Sequence, residues 1–180
     1  MSNWNKIIKP IVVLCVICVV ITGALAVTND ITAPIIEEAT RKAQEAARLE
    51  LLPDATGFTK VEGISVANVS EVYKADNDVG VVVTSTAKGY GGTMTVMVAF
   101  TPDGTIKQIK VTEQGETKGI GSKVAGDSSF WTRYQGLKAE PLTLGEDVDA
   151  LSGATVSSKA LTSAVNAAIA GYKAIGTIAG

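Results

Sequence analysis

The segment from Asp149 to Thr155 reads D-A-L-S-G-A-T and stands immediately before a run with helical periodicity. The first amides of a helix have no partner inside it, and the helix dipole is positive at that end, so a phosphate held there would be stabilised. Gly153 and Ala154 are small enough to let another group approach the backbone. Thr155 stands at or near the N-cap of this helix. The alternative is that Thr155 or Ser157 only caps the helix.

The composition excludes several other chemistries. The 180 residues include no histidine, which rules out Ser-His-Asp and Cys-His catalysis, histidine-ligated haem and imidazole zinc sites. Cys15 and Cys18 cannot supply four thiolates, so we expect them to be small apolar residues in a helix; a redox or metal role would need cysteines from another chain. The net charge of −2 gives no basic surplus for nucleic acid. Redox chemistry would therefore need an organic cofactor.

Two other patterns could carry chemistry. Ser85 and Lys88 form an S-x-x-K string, the nucleophile pattern of penicillin-recognising enzymes, but the string ends a β-rich run instead of lying on a helix. Glu116 and Asp149 could form the carboxylate pair of a glycoside hydrolase, although a loop carboxylate and a turn-capping carboxylate explain them more simply.

An apolar run near the N-terminus predicts a membrane anchor. Residues 11–27 carry no charge, and extension back to Ile7 gives about 21 residues, or about 31 Å of helix, which matches a hydrocarbon core of about 30 Å. Lys6 and Lys9 flank this run at its N-terminal end, so the positive-inside tendency places the N-terminus in the cytoplasm and the remainder outside. A cleaved signal peptide is the alternative, since residues 24–26 read A-L-A. The length of the run favours a retained anchor.

Two stretches beyond the anchor show helical periodicity. Residues 35–52 place apolar side chains on one stripe, with Thr32 and Pro34 as a start signal. Residues 156–173 form a second stripe directly after the D-A-L-S-G-A-T segment. We expect the first helix to lead from the membrane to a domain and the second to position that segment.

Three runs rich in β-formers, at residues 79–86, 93–100 and 106–111, predict an antiparallel meander. Weaker alternation over residues 58–74 predicts additional short strands. We expect the glycine-rich residues 113–136 to lack regular structure and to form a binding loop. The predicted fold class is α+β, with a single N-terminal transmembrane helix followed by a mostly antiparallel twisted sheet and packed helices.

The D-A-L-S-G-A-T segment resembles the D-x-x-[S/T]-G-A-[S/T] pattern of covalently flavinylated FMN-binding domains. Residues 89–92 read G-Y-G-G and resemble that family's first glycine loop, and residues 116–123 read E-T-K-G-I-G-S-K where the family has E-T-P-G-L-G. The aromatic stretch 130–136 also matches in order. The resemblance implies an FMN phosphate esterified to Thr155. It implies as well a flavin transferase of the ApbE type that uses FAD as donor and releases AMP.

The same resemblance implies which residues hold the cofactor. Thr155 carries the covalent bond, and the other residues come from the motif and from the loop at 116–123: Ser152, Gly153, Ala154, Asp149, Glu116, Thr117, Gly119, Ile120, Gly121 and Lys123. Lys118 and Ile120 depart from the family's proline and leucine. Lys123 is alternatively a solvated loop charge.

An N-terminal anchor joined to an outer FMN domain resembles the G subunits of Rnf electron-transport complexes, which are related to the C subunits of sodium-pumping NADH:quinone oxidoreductases. This implies a redox subunit that carries electrons through covalent FMN within an ion-translocating ferredoxin:NAD complex of the cell (inner) membrane. The implied partners are the other membrane subunits and the flavin transferase. A role like that of the C subunits and a cofactor-free anchored interaction domain are the alternatives.

The implied organisation has three parts. Residues 1–30 would form the cytoplasmic N-terminus and the transmembrane anchor. Residues 31–55 would form a helical connector, and residues 56–180 the extracytoplasmic FMN-binding domain.

Overall fold

The computed structural model describes residues 8–116 and 121–178, so Lys6 and the predicted site residues Thr117, Gly119 and Ile120 lie outside it. The chain divides into two compact units, Met1–Ala43 and Gln44–Gly180. The first unit is helical where it is described, and the second contains a sheet with helices.

Helix α1 extends over Lys9–Leu51 and contains the apolar run. Among the described residues it is the one helix that is long and apolar enough to cross a membrane. The predicted helix start at Thr32 and Pro34 is wrong, because α1 continues through both residues. The Thr32 hydroxyl donates to the Thr28 carbonyl oxygen, one turn earlier, at 2.9 Å. Thr32 is therefore satisfied inside the helix and does not cap it.

The second unit is built on a five-stranded sheet in which each strand pairs antiparallel with the next one along the chain. The strands are β1 Phe58–Lys60, β2 Val69–Ala75, β3 Val81–Lys88, β4 Thr93–Phe100 and β5 Ile106–Glu113. Consecutive antiparallel strands need only short turns between them. The predicted meander and the α+β class are confirmed, and the weak alternation before it corresponds to β1 and β2.

Both faces of the sheet are covered. Helix α4, Thr155–Ile178, lies on one face, and the last turn of α1 lies on the other. In β3, Val81 and Val83 belong to the core beneath α4, whereas Val82 belongs to the core beneath α1. Successive strand residues face opposite sides, so burial on both faces explains the continuous apolar run in this strand.

Residues 113–136 are not the irregular loop that their glycine content predicts. They include helices α2, Gly121–Gly126, and α3, Ser128–Trp131, which a 3-10 turn follows. The Asp127 carboxylate caps α3 by accepting the amide of Ser129 at 2.9 Å. The two glycines of α2 are its first and last residues, and glycine weakens a helix chiefly in its interior.

Candidate functional site

The D-A-L-S-G-A-T segment forms a turn that ends at the first residue of α4. The Ala154 carbonyl accepts the first intrahelical hydrogen bond, from the Ser158 amide at 2.9 Å. Ala154 therefore occupies the N-cap position, and Thr155 is the first helical residue. Gly153 has a φ of +80°, which glycine adopts without strain. The turn thus delivers Thr155 directly to the helix N-terminus.

The hydroxyls of Ser152, Thr155 and Ser157 differ in accessibility. Ser152 and Thr155 are exposed, whereas Ser157 is 3% exposed and its hydroxyl is engaged in a hydrogen bond. The amides of residues 155–157 have no carbonyl four residues back within the helix, and alanine at the N-cap has no side-chain oxygen to accept from them. Hydrogen-bond donors and an accessible hydroxyl are therefore combined at Thr155.

A buried polar network lies behind the turn. The Leu151 amide donates to the Ser158 hydroxyl oxygen at 3.1 Å. The Thr162 hydroxyl donates to the Ser158 carbonyl at 3.0 Å, so the Tyr134 hydroxyl is the donor in its 2.9 Å contact with Thr162. Burial raises the pKa of the Tyr134 phenol above its usual value. The network fixes the turn to the interior of the domain.

The Glu116 carboxylate accepts hydrogen bonds from two different segments. Its Oε1 accepts the Tyr90 amide at 2.9 Å, and its Oε2 accepts the Ser157 hydroxyl at 2.8 Å. Tyr90 lies in the turn between β3 and β4, whereas Ser157 lies in the first turn of α4. Glu116 is only 9% exposed. It therefore joins a glycine-rich turn of the sheet to the helix N-terminus.

Glycines leave the room that this arrangement needs. A Cβ added at Gly89 would overlap Oε1 of Glu116, and one added at Gly121 would overlap Oε2. A Cβ added at Gly91 would overlap the carbonyl of Gly115. A larger residue at Gly91 would push its turn away from the backbone of Gly115, whereas one at Gly89 or Gly121 would displace the carboxylate of Glu116.

These segments enclose a predominantly apolar cleft of about 500 Å³, a size within the range of small-molecule sites. Its lining residues are Tyr90, Glu116, Gly121, Gly153, Ala154, Thr155, Val156 and Ser157. Among the described residues of the second unit, the exposed large apolar side chains are those of Leu49, Tyr90 and Val156. Two of these three line the cleft.

A second cleft, of about 420 Å³, is lined by Tyr172 and Ile175 among others and contains none of the predicted site residues. Within the described part of the chain, no group of three or more cysteine, aspartate or glutamate side chains could hold a metal ion. Of these two clefts, the first contains the predicted site residues.

The structure brings about half of the predicted site residues together. Glu116, Gly121, Gly153, Ala154 and Thr155 line the cleft, and Ser152 lies exposed in the adjoining turn. Asp149 and Lys123 are exposed and do not line it. Arg133 donates to the backbone carbonyl of Asp149 at 3.1 Å, so Asp149 takes part in this contact through its main chain.

Sequence reasoning did not place Tyr90, Val156 or Ser157 in the site. The signal for Tyr90 was an aromatic residue within three glycines, where no packing role was evident. Ser157 resembled a capping hydroxyl. Of the rival patterns, the S-x-x-K string lies on a strand: Ser85 is buried in β3 and donates to the Ala164 carbonyl at 2.8 Å.

Comparison with known proteins identifies the family. The family sequence model for the RnfG N-terminal region matches residues 1–51, and the family sequence model for the FMN-binding domain matches residues 89–170. The G subunit of the Na⁺-translocating ferredoxin:NAD⁺ oxidoreductase complex of Acetobacterium woodii is 31% identical to this chain over 95% of the chain and 94% of its own length. The chain belongs to the RnfG family of ion-translocating oxidoreductase subunits.

A further member of the RnfG family, from the proton-translocating ferredoxin:NAD⁺ oxidoreductase complex of Clostridium ljungdahlii, is 31% identical over 87% of this chain and 86% of its own length. Among solved structures, the C subunit of the Na⁺-translocating NADH-quinone reductase of Parabacteroides distasonis is similar, with a TM-score of 0.48 and 21% identity over 58% of this chain and 60% of its own. Every residue that lines the cleft lies within the matched FMN-binding domain.

Proposed function

We propose that this chain is a membrane-anchored flavoprotein subunit that carries electrons through an FMN bound covalently to Thr155. One observation carries the proposal: the exposed hydroxyl of Thr155 stands at the first helical residue of α4, in the cleft of the FMN-binding domain. The chain would act as a redox relay of a larger complex and not as an independent catalyst.

The phosphate end of FMN fits the N-terminus of α4. The amides of residues 155–157 can donate to phosphate oxygens, and the helix dipole favours a negative charge there. Gly153 and Ala154 present little side chain beside the acceptor hydroxyl. The same features that suit a bound phosphate suit one that is esterified to Thr155.

The ring end of FMN fits the remainder of the cleft. The exposed Tyr90 and Val156 side chains offer apolar surface for a planar ring, and Gly121 adds no side chain to the same cleft. FMN supplies one-electron and two-electron transfer when it is bound. The chain's own part is to hold the ring, to limit its contact with water and to keep the cofactor from dissociating.

The FMN part of FAD would be transferred to the hydroxyl of Thr155. The Thr155 hydroxyl oxygen attacks the phosphorus on the riboflavin side of FAD, the pyrophosphate bond breaks, AMP leaves, and the hydroxyl proton passes to solvent. A flavin transferase of the ApbE type would catalyse this step. Ser157 is a poorer acceptor because its hydroxyl is buried and donates to Glu116. Thr155 has no such restriction.

The RnfG relatives belong to complexes named for ferredoxin:NAD⁺ oxidoreduction coupled to Na⁺ or proton translocation. We place this chain in such a complex, with the other membrane subunits as its partners. Helix α1 would anchor it in the membrane. With Lys6 and Lys9 at the cytoplasmic end, residues 31–55 would connect the anchor of residues 1–30 to an extracytoplasmic domain of residues 56–180.

Substitution of the acceptor hydroxyl tests the proposal. The full chain, co-expressed with the transferase and purified in detergent, is expected to gain one FMN-sized mass and to fluoresce after denaturing electrophoresis. Thr155→Val keeps the side-chain shape but removes the oxygen, so it should eliminate the adduct while the domain stays folded. Thr155→Ser should retain part of it.

Matched controls are available in the same turn. Ser152→Ala should leave flavinylation largely intact. Ser157→Ala should still gain one FMN-sized mass, because its buried hydroxyl is not the acceptor, but the extent of loading is not a control since Ser157 lines the cleft. An unmodified wild type, or a Thr155→Val chain that still carries one FMN, would refute the assignment.

The orientation of the domain has its own test. A protease added to intact cells without an outer barrier should reach the domain, and a domain protected from the protease would refute the extracytoplasmic orientation.

A further inference from the structure

We propose that Glu116 is a positioning residue that sets the geometry of the cleft by holding the Tyr90 turn against the first turn of α4. Both of its carboxylate oxygens are engaged with protein donors, Oε1 with the Tyr90 amide at 2.9 Å and Oε2 with the Ser157 hydroxyl at 2.8 Å. The carboxylate therefore joins the two walls of the cleft. The inference deepens the proposed function and relies on it for the identity of the ligand.

The surroundings of Glu116 are built around this contact. Burial of a carboxylate is costly unless hydrogen bonds satisfy it, and Glu116 is only 9% exposed. Gly89 and Gly121 lie so close to its two oxygens that neither position has room for a Cβ. The Glu116 amide is itself held by Oε1 of Gln114 at 3.0 Å. The side chain is fixed from its backbone to both of its oxygens.

The contact has two consequences for the cleft. It joins the turn that carries Tyr90 to the helical turn that carries Thr155 and Val156, so the width of the cleft depends on the reach of one side chain. It also engages the Ser157 hydroxyl, which leaves Thr155 as the accessible hydroxyl of the first helical turn. Without Glu116 the Tyr90 turn would lose the hydrogen bond that joins it to the rest of the site.

Three substitutions separate geometry from the mere presence of a polar group. In Glu116→Gln the amide oxygen can still accept from Tyr90, and the amide nitrogen can donate to the Ser157 oxygen, so both contacts survive. Glu116→Asp keeps the charge but is one methylene shorter and cannot span both donors. Glu116→Ala removes both contacts. Glu113→Gln and Glu113→Ala, at an exposed carboxylate at the end of β5, are the matched controls.

The first measurement is amide hydrogen exchange over residues 89–92 in the full chain, purified in detergent without the transferase. Exchange of this segment should accelerate at least tenfold in Glu116→Asp and Glu116→Ala. It should stay within about twofold of wild type in Glu116→Gln and in both Glu113 variants. Near-ultraviolet circular dichroism reports whether the domain remains folded. Should Glu116→Ala unfold, the Asp and Gln variants decide: equal exchange in these two would overturn the inference.

The second measurement uses the loaded protein. A phenol next to a flavin quenches its fluorescence, so emission should rise in Glu116→Asp and stay low in Glu116→Gln. Equal emission in all Glu116 variants would contradict the positioning role. The exchange data require no flavin, so a wild type that takes up no FMN would refute the proposed function and leave the test of Glu116 standing.

Discussion

The amide of Leu151 donates to the hydroxyl oxygen of Ser158 at 3.1 Å and so connects the turn at residues 149–155 to helix α4, which follows it. The neighbouring Ser157 donates instead to the Glu116 carboxylate at 2.8 Å. The two adjacent serines thus make different contacts. Ser158 stabilises the turn that contains Thr155, and Ser157 binds the Glu116 carboxylate in the wall of the cleft.

Ser158→Ala should destabilise the turn at residues 149–155. The substitution removes the acceptor of the partly buried Leu151 amide, and an unpaired buried donor costs about 1–3 kcal/mol. We expect a lower free energy of unfolding in urea and slower flavin loading by the transferase. The exposed Ser152→Ala should change the free energy of unfolding by about 0.5 kcal/mol at most. Equal effects of the two substitutions would show that the Leu151 contact does not hold the turn.

Gly91→Ala should destabilise the domain, because the added Cβ would overlap the carbonyl of Gly115 and separate the two segments. Overpacking of this kind costs about 1–3 kcal/mol. Gly126→Ala is the control: nothing lies within 4 Å of its added Cβ, and it ends α2. Thermal unfolding should show a lower midpoint for Gly91→Ala and an unchanged or higher one for Gly126→Ala. The reverse order would contradict the role assigned to the glycine turn.

Tyr134→Phe should cost about 0.5–1.5 kcal/mol, since it removes the buried hydrogen bond to Thr162. The raised pKa of the phenol adds a dependence on pH. Because the pKa of this phenol is higher in the folded than in the unfolded protein, its contribution to the free energy of unfolding is fully present below the unfolded pKa of about 10. This contribution is lost as the pH rises through the folded-state pKa. Wild type should therefore lose stability above about pH 10 more steeply than Tyr134→Phe. The exposed Tyr90→Phe should follow wild type, and a parallel loss in all three would be inconsistent with a buried phenol.

Asp103 should contribute to stability in a pH-dependent way. Hydrogen bonds from Lys138, and then from the hydroxyls of Thr101 and Thr105, hold the pKa of its carboxyl well below the usual range. Because the pKa of this carboxyl is lower in the folded protein, its contribution to the free energy of unfolding is present above the unfolded pKa of about 3.9. The contribution is lost as the pH falls through the folded-state pKa. Asp103→Asn should lower the unfolding midpoint at about pH 7, modestly because the group is exposed, and less so as the pH falls below about 3.9.

Exposed Glu146→Gln provides the comparison for Asp103→Asn. It should leave the unfolding midpoint nearly unchanged across the same pH range. A constant difference between wild type and Asp103→Asn at all pH values would argue against the lowered pKa.

Features that depend on neighbours in sequence followed from the sequence alone. The turn before α4, the start of α4 and the strands β3 to β5 depend on turn chemistry, periodicity and β-propensity within short windows, and each was predicted close to its observed position. The same local signals misplaced a helix start at Thr32 and Pro34, because a threonine hydroxyl can bond back within a helix as well as cap one. Short α2 was missed because glycine at its two ends resembles glycine in a loop, and α3 was missed because four residues are too few to show helical periodicity.

The walls of the cleft were decided by tertiary structure. Glu116 meets Tyr90 across 26 residues of chain and Ser157 across 41, and no local pattern encodes which donors a carboxylate will reach. The glycines at 89, 91 and 121 read as turn residues in the sequence, yet the fold requires them because other segments occupy the space of their side chains. The sequence led to the prediction that the hydroxyl of Thr155 accepts a phosphate. Packing of the sheet against α4 determined the cleft into which that hydroxyl opens, because such contacts form only when distant segments are brought together.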